Sequence, residues 1–285
     1  MDTVLRSRSR TVVIGPEQPF CIIGERINPT GRKAFQAQLQ AGDLSQIETD
    51  VADQVAGGAD MLDVNVGDPL ADEVGLMGQA IPLVQSLTEL PLVIDSSVIE
   101  ALEAGLAAYD GKALVNSVTG EDERLETILP LVARHGAAVI GLANDDEIRL
   151  DPHDRLAIAK KIVSAAGDYG IPAEDVVIDP LAMPIGAQPG AATAFMKTVQ
   201  LLREELGVNT TCGASNTSFA MPGRHALNAT FLAIAASHGL TSAIMDARTP
   251  HVVDAVRAAD LLLDHDEWGA AWIKRYRDQQ AAAAS

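Results

Sequence analysis

Short apolar runs recur along the chain, and nearly every one is followed by a longer stretch whose apolar residues have helical spacing. Eight such runs are present, each about as long as a buried strand. In chain order they cover residues 20–25, 61–67, 91–97, 113–118, 137–144, 175–180, 210–216 and 242–247. The pattern therefore predicts a repeated strand–helix unit of about 30 residues.

Residues typical of helix boundaries stand between these runs. Asp43 is placed to cap a helix that Gly57 and Gly58 would end. Another helix is predicted to begin near Asp122 and to run to His135, with Gly136 directly after it. These boundaries support the assignment of the stretches between the runs as helices.

Eight strand–helix units indicate the α/β class and a single (β/α)8 TIM barrel. An open doubly wound sheet is the alternative, but no G-x-G-x-x-G sequence follows the first run. We expect the barrel and a C-terminal helix to span residues 20–285. Residues 1–19 lack the apolar segment of a secretory signal, and we expect them to form an N-terminal lead-in with a short disordered basic arm.

Composition narrows the range of functions. The formal net charge of −18 argues against non-specific binding to nucleic acid and against an anionic membrane surface. Cys21 and Cys212 lie inside apolar runs, as expected for buried reduced thiols. No apolar stretch approaches the roughly 20 residues of a membrane span. These features predict a cytoplasmic protein.

In a barrel of this kind the active site lies at the carboxyl ends of the strands. Polar residues at or just after these ends are Glu25, Asn28, Asp63, Asn65, Asp95, Ser96, Asn116, Ser117, Asn144, Asp179, Asn216 and Asp246. The set contains carboxylates and amides but no His or Lys. It also lacks the grouped His and Cys ligands that zinc requires, so we expect no metal site.

Carboxylates and amides together suit a heterocycle that presents hydrogen-bond donors and acceptors along one edge. Paired carboxylates also hydrolyse glycosides, but a sugar site normally has aromatic platforms, and Trp268 and Trp272 both lie in the predicted C-terminal helix. Each polar residue alone has a structural explanation as well. Asp95 could cap the next helix, and Asn216 could be an N-cap.

Six runs resemble, in this order, the methyltetrahydrofolate:corrinoid protein methyltransferases. They are IIGERINPTG, DMLDVNVGDP, PLVIDSS, ALVNSV, VVIDPLAMP and GASNTSF. They are equally similar to the folate-binding domain of cobalamin-dependent methionine synthase. The resemblance covers about residues 20–265. The wider superfamily includes the dihydropteroate synthases, so the resemblance implies a dihydropteroate-synthase-like, pterin-binding barrel.

The resemblance also implies a set of pterin- or folate-binding residues at the strand ends, namely Asp95, Asn116, Asp179, Asn216, Arg224, Glu25 and Asn65. Asn216 would lie near N5 of the pterin. Asn216 and Asp179 would be the catalytic residues, and no metal would take part.

The implied reaction moves a methyl group between N5 of methyltetrahydrofolate and the cobalt of cobalamin or another corrinoid. N5 leaves poorly as a neutral tertiary amine, so it must gain positive character. As a hypothesis, the Asn216 amide stabilises protonated N5 while the proton arrives through water and Asp179. The chain has no D-x-H-x-x-G corrinoid-binding motif. A separate corrinoid protein would therefore dock at the barrel mouth, and the resemblance further implies a homodimer.

Two other functions stay open at this point. A dihydropteroate synthase needs cations for a pyrophosphate, and that family usually has a Lys after the seventh strand. Here the seventh run ends in CGASNTS, and Arg248 is the cation that follows the eighth. The chain could also be a non-catalytic subunit that binds folate and presents it to a larger complex.

Overall fold

The structure, a computed structural model, describes residues 1–284. Over these residues the strands are β1 (Thr3–Arg6), β2 (Thr11–Ile14), β3 (Cys21–Ile27), β4 (Met61–Val64), β5 (Leu92–Asp95), β6 (Leu114–Val118), β7 (Ala138–Leu142), β8 (Val176–Asp179) and β9 (Ser242–Met245). The helices are α1 (Lys33–Gln40), α2 (Ser45–Gly57), α3 (Glu73–Leu87), α4 (Ile99–Ala108), α5 (Asp122–His135), α6 (Pro152–Asp168), α7 (Ala191–Glu205), α8 (Arg224–Ser237), α9 (Pro250–Leu262) and α10 (Ala270–Ala284).

The strands from β3 to β9 form one parallel sheet in the spatial order β8-β7-β6-β5-β4-β3-β9. The two open edges of this sheet are joined by residues 209–213. On one side the amide of Ile178 donates to the carbonyl of Asn209 at 2.8 Å. On the other side the amide of Ile244 donates to the carbonyl of Cys212 at 2.8 Å. The barrel is therefore closed, and the predicted (β/α)8 fold is confirmed.

The seventh predicted run is the least regular part of the barrel. It pairs with its neighbours through isolated parallel bridges, Ile178 with Thr210 and Gly213 with Ile244, and not through a continuous ladder. The chain then turns into a short 3₁₀ helix over Ala214–Asn216. The prediction of a strand over 210–216 is thus wrong for its last three residues, because they form this turn at the barrel rim.

Helix boundaries follow the sequence pattern closely. The helix α2 is capped by Gly58, which has a left-handed backbone with φ of 101°, and α5 is capped by Gly136 with φ of 58°. Asp43 lies one residue before the capping position of α2 and accepts the amide of Ser45 at 2.9 Å. Among residues 1–284, no helix combines the length and the apolar character needed to cross a bilayer.

The first residues of the chain form an antiparallel hairpin, in which Thr3 pairs with Ile14 and Arg6 with Thr11. Leu5 and Ile14 are fully buried and pack against the side chains at the amino-terminal end of the barrel interior. The prediction of a disordered arm is therefore wrong for β1 and β2. Two apolar side chains that face the barrel supply enough burial to order this segment.

Alternation along the strands decides which side chains enter the barrel. Residues such as Cys21, Met61, Val93, Leu114 and Val177 pack together in the barrel interior, whereas their neighbours pack against the helices. Side chains two positions further along a strand point to the same face. The inward positions therefore continue, at the carboxyl end, into Glu25, Asp63, Asp95, Asn116 and Asp179.

Candidate functional site

The carboxyl end of the barrel brings together acidic and amide side chains from four strands. Asp63 of β4 is 2% exposed and Asp179 of β8 is 8% exposed. Asp95 of β5 and Asn116 of β6 are half-buried neighbours in the sheet register. Apolar residues fill the interior below, so these polar groups share a small volume with little water. A poorly hydrated environment of this kind shifts the pKa values of ionisable groups and strengthens hydrogen bonds.

Asp63 and Asp95 form a coupled pair of carboxyl groups. Burial and the charge of Asp95 raise the pKa of Asp63 well above its usual range. Burial also raises the pKa of Asp95 to about 6, although hydrogen bonds from Asn65 and Asp63 oppose the rise. Two carboxylates this close do not both ionise easily. The pair therefore shares a proton that lies mainly on Asp63, and Asp95 is the member that carries the charge.

Two asparagines fix the orientation of this pair. Asn65 Nδ2 donates to Asp95 Oδ2 at 2.9 Å, and Asn65 Oδ1 accepts the amide of Gly67 at 2.8 Å. Both ends of the Asn65 amide are thus used to position Asp95. Asn116 Nδ2 donates to Asp63 Oδ1 at 3.1 Å, which leaves the Asn116 carbonyl oxygen as the end that can accept from a ligand.

Asp179 is held by the backbone that follows β8. Its Oδ1 accepts the amide of Leu181 at 2.7 Å, and Leu181 has the left-handed φ of 64°, which is strained for a residue other than glycine. Burial raises the pKa of Asp179 to about 6, while hydrogen bonds from the backbone of Leu181 and Gly213 and the charge of Arg155 lower it. The carboxyl is therefore poised to exchange a proton near neutral pH.

Arg155 of α6 holds the same loop from below. The residue is 0% exposed, and its Nη1 donates to the carbonyl of Pro180 at 2.7 Å and to that of Leu181 at 3.3 Å. Its charge offsets part of the cost of an ionised Asp179. The Arg155 side chain thus positions the loop that positions Asp179.

Asn216 is the last residue of the 3₁₀ helix Ala214–Asn216. Its side chain is exposed, and its Nδ2 lies 3.0 Å from the place that a Cβ on Gly213 would occupy. The backbone of Gly213 also bonds to Asp179. Because Gly213 has no side chain, the two predicted catalytic residues, Asn216 and Asp179, can both lie against its backbone.

Glu25 and Arg224 both contact Ser215, the residue before Asn216. Ser215 Oγ is 3.0 Å from both carboxylate oxygens of Glu25. Arg224 Nη2 donates to the Ser215 carbonyl at 2.7 Å, and its Nε donates to Ser218 Oγ at 3.1 Å. These contacts line a cavity of about 290 Å³. Burial raises the pKa of Glu25, so its carboxyl is less readily ionised than a solvated one.

Five of the seven predicted site residues therefore fall into two adjoining groups. Asp95, Asn65 and Asn116 form the carboxylate–amide cluster with Asp63. Glu25 and Arg224 line the open cavity, which the side chains of that cluster do not. We place the chemistry at the cluster, because its groups have perturbed pKa values and converging polar atoms, and we treat the cavity as its extension. Asp179 and Asn216 both lie against Gly213, and the roles of all seven residues in binding stay predictions.

Sequence reasoning missed three contributors. Asp63 was named as a strand-end residue, but its partnership with Asp95 depends on a neighbouring strand. Its place two residues before Asn65 was the available signal, since both face the interior. Arg155 was missed in α6, although a charged residue among Leu156 and Ala159 marks an unusual helix face. Asn228 of α8, a buried residue that lines the cavity, was also missed, and no sequence signal pointed to it.

The chain is similar to known proteins over most of its length. Residues 24–246 match the family profile described as "Pterin binding enzyme". The chain is 32% identical over 240 residues to methionine synthase of Mycobacterium tuberculosis, which covers 79% of this chain and 20% of that protein. Methionine synthase of Mycobacterium leprae is 32% identical over 244 residues with the same coverage. The chain thus spans about a fifth of the length of the curated relatives it matches.

Solved structures with the same fold include dihydropteroate synthases. The enzyme from Xanthomonas albilineans in complex with 7,8-dihydropteroate superposes with a TM-score of 0.69 at 22% identity, covering 91% of this chain and 98% of that one. The enzyme from Coxiella burnetii in complex with pteroic acid has a TM-score of 0.70 at 16% identity, covering 92% and 99%. At these identities the likeness establishes the fold.

Proposed function

Because the chain belongs to the pterin-binding enzyme family, we propose that it transfers a methyl group between N5 of methyltetrahydrofolate and the cobalt of a corrinoid carried by a separate protein. The observation that carries the proposal is the carboxylate–amide cluster beside a partly protonated Asp179. The predicted pterin-binding family is confirmed. The following observations support the assignment of methyl transfer as the reaction.

The cluster offers acceptors to a ring that is rich in N–H groups. A reduced pterin carries N–H donors at its 2-amino group, N3 and N8. Asn116 has already given its amide N–H to Asp63, so its carbonyl accepts. Asp95 and Asp179 are carboxylates with unused lone pairs, and a carboxylate accepts two neighbouring N–H groups in parallel. The arrangement favours a pterin over a ligand whose edge carries acceptors alone.

Asp179 and Asn216 suit the activation of N5. The methyl carbon leaves N5 without the electrons of its N–C bond, and those electrons stay on N5. The corrinoid supplies the electron pair of the new bond. A proton on N5 makes it a better leaving group, and a carboxyl with a pKa of about 6 can deliver one through water near neutral pH. The Asn216 carbonyl can accept a hydrogen bond from protonated N5.

Exposed residues at the barrel mouth support the docking of a partner. Asn216 and Phe219 are exposed, and the segment between Gly213 and α8 consists of a short 3₁₀ helix and turns. A corrinoid protein that docks there would bring its cofactor over N5. Docking of this partner, a homodimer and a cytoplasmic location all stay predictions.

The test is anaerobic methyl transfer from methyltetrahydrofolate to free cob(I)alamin, followed by visible spectroscopy. We expect the wild-type protein to convert cob(I)alamin to methylcobalamin. Asn216→Ala should lower the rate by about 10²–10³-fold, the loss seen when one transition-state hydrogen bond is removed. Thr230→Val, an exposed change on α8, should not change the rate. Full activity in Asn216→Ala would show that the assigned role is wrong.

The same preparation distinguishes the alternatives. Incubation with p-aminobenzoate and a dihydropterin pyrophosphate should give no dihydropteroate. Arg248 would be the cation for the pyrophosphate, but its Nη2 and Nε bind the two oxygens of Asp246 at 2.7 and 2.8 Å. Tight binding of methyltetrahydrofolate without transfer to cob(I)alamin or to any corrinoid protein would instead indicate a folate-presenting subunit.

A further inference from the structure

The segment that closes the barrel, residues 209–213, has a polar inward face. Its Gly213 pairs with Ile244, whose side chain packs among those of the barrel interior. Because side chains alternate along a strand, Asn209 points to the interior as well. The strands from β3 to β8 fill that interior with apolar side chains. Asn209 is only 1% exposed, and a buried amide is costly unless it is hydrogen-bonded.

The Asn209 side chain is bonded to the amino-terminal hairpin. Its Nδ2 lies 2.8 Å from the carbonyl oxygen of Ile14 in β2 and 2.9 Å from Thr3 Oγ1 in β1. The carbonyl oxygen of Met1 is 3.2 Å away. The backbone carbonyl of Asn209 accepts from the amide of Ile178 in β8. This one residue therefore joins the start of the closing segment to both the hairpin and the barrel.

The same hairpin contacts the amino ends of two other strands. The backbones of Arg6 and Lys112 exchange hydrogen bonds of 3.1 and 2.8 Å just before β6. Thr3 Oγ1 donates to the carbonyl of Glu174, in the turn that precedes β8. Lys112 Nζ joins the two places, since it lies 2.6 Å from both carboxylate oxygens of Asp175. The hairpin is thus a common base for the closing segment, β6 and β8. These three lead to Asn216, Asn116 and Asp179 respectively.

The closing segment depends on this base more than the other two do. Continuous ladders join β6 to β5 and β7, and another joins β8 to β7. The closing segment instead forms isolated bridges. Its far end, about 13 Å from Asn209 at 3.3 Å per residue, carries the Gly213 backbone that bonds to Asp179. A shift of the segment along its axis would therefore move this bond and Asn216 together.

We propose that Asn209 is a positioning residue for methyl transfer, which acts through the hairpin to set the height of the closing segment and so of Asn216. The proposal rests on the proposed function, which assigns Asn216 and Asp179 to the activation of N5. Asn209 itself lies at the opposite end of the segment and acts only through the backbone. Asp95 and Asn116 stand on strands with continuous ladders. Loss of the Asn209 amide should therefore slow transfer and leave pterin binding unchanged.

The test measures methyl transfer per pterin-binding site in the full chain. Titration calorimetry with tetrahydrofolate gives the number of sites and Kd, and the anaerobic cob(I)alamin assay gives kcat. Asn209→Ala should lower kcat per site by about 10²-fold, the effect of a misplacement of about 1 Å, and change Kd by less than about twofold. Val84→Ala, a buried change in α3, is the control for lost packing and should alter neither kcat per site nor Kd.

Thr3 provides a second pair of variants that does not depend on Asn209→Ala folding well. Thr3→Val keeps the shape of the side chain but lacks the hydroxyl that accepts from Asn209. It should lower kcat by about tenfold, as expected for one lost hydrogen bond. Thr3→Ser keeps the hydroxyl and should retain most of the rate. The contrast between Val and Ser separates the hydrogen bond from the packing of the hairpin.

The pH dependence gives a readout that lost packing would not change. The hydrogen bond from the Gly213 backbone lowers the pKa of Asp179. If Asn209→Ala weakens this bond, the pKa of Asp179 should rise and the activity–pH profile should move to higher pH. The other groups that interact with this carboxyl electrostatically, the Arg155 guanidinium of α6 and the Cys212 thiol, are the same in both proteins.

The outcomes separate the positioning role from the proposed function. Full kcat per site in Asn209→Ala and Thr3→Val, with an unmoved pH profile, would overturn the positioning role while methyl transfer stands. A loss of affinity as large as the loss of kcat would also overturn it, because it would indicate a general disordering of the barrel. If the wild-type protein transfers no methyl group, the proposed function is wrong, and the positioning role is wrong with it.

Discussion

Replacement of Asp179 by asparagine should make the protein more stable and abolish pterin binding. Burial raises the pKa of Asp179 from its ordinary value near 3.8 to about 6. The folded state then holds a proton that the unfolded state has already released, over the range from about pH 4 to about pH 6. Stability therefore falls as the pH rises through this window. The cost is absent below about pH 4 and fully present above about pH 6.

The magnitude follows from the shift. A shift of about two pH units corresponds to about 3 kcal/mol at 1.36 kcal/mol per unit, and Asp179 is 8% exposed, so solvent screening reduces it little. The substituted amide would weaken the bond from the backbone N–H of Leu181, because a neutral carbonyl is a poorer acceptor than a carboxylate. We therefore expect Asp179→Asn to gain about 1–3 kcal/mol near pH 8.

Urea unfolding of wild type and Asp179→Asn at about pH 8 and about pH 5.5 measures this gain in unfolding free energy. The dependence of that free energy on urea concentration should be the same for both proteins if their unfolded states are similar. The gain should shrink at the lower pH, where wild-type Asp179 is mostly protonated. Asp43→Asn is the control: Asp43 is exposed, and hydrogen bonds that it accepts from Ser45 lower its pKa, so loss of its charge should not stabilise the fold. Equal or lower stability of Asp179→Asn at both pH values would show that burial of this carboxylate does not destabilise the fold.

Three further outcomes follow from buried contacts. Leu5→Ala should destabilise the protein by about 2–5 kcal/mol in urea unfolding, whereas Leu262→Ala, which is 82% exposed, should change it by less than about 0.5 kcal/mol. Asp63→Ala should weaken tetrahydropterin binding by about tenfold in calorimetry, because the Asn116 amide loses its fixed orientation; an unchanged affinity would contradict this. Arg155→Met removes a charge that lowers the pKa of Asp179, so the activity–pH profile should move to higher pH, and an unmoved profile would exclude the coupling.

The proposed binding of a pterin beside these carboxyl groups has a physical basis in the free energy that their burial costs. Asp63, Asp95 and Asp179 are buried where ionisation is unfavourable, and each has a raised pKa. A ligand with N–H donors can supply the hydrogen bonds that water would give to these carboxyl groups at the surface. The same groups that reduce the stability of the empty protein thus strengthen its preference for this class of ligand.

The sequence alone determined the barrel and most of its rim. Eight apolar runs separated by helical stretches have few solutions other than a closed parallel barrel, because each run must be buried on both faces. The alternation within the runs then placed Glu25, Asp95, Asn116 and Asp179 at inward positions near the carboxyl ends. Local patterns also located the ends of α2 and α5 at Gly58 and Gly136, since a left-handed backbone favours glycine.

Only the tertiary structure decided how these residues act together. Asp63 and Asp95 share a proton because two neighbouring strands place them side by side. The sequence of neither strand specifies the distance between the two carboxyl groups. Arg155 gains its role from the loop after β8, whose carbonyls it binds, and Asn228 lines a cavity together with Glu25 from the other end of the chain. The hairpin of β1 and β2 is ordered because Leu5 and Ile14 find an apolar opening at the amino-terminal end of the barrel, and that opening exists only once the barrel has closed.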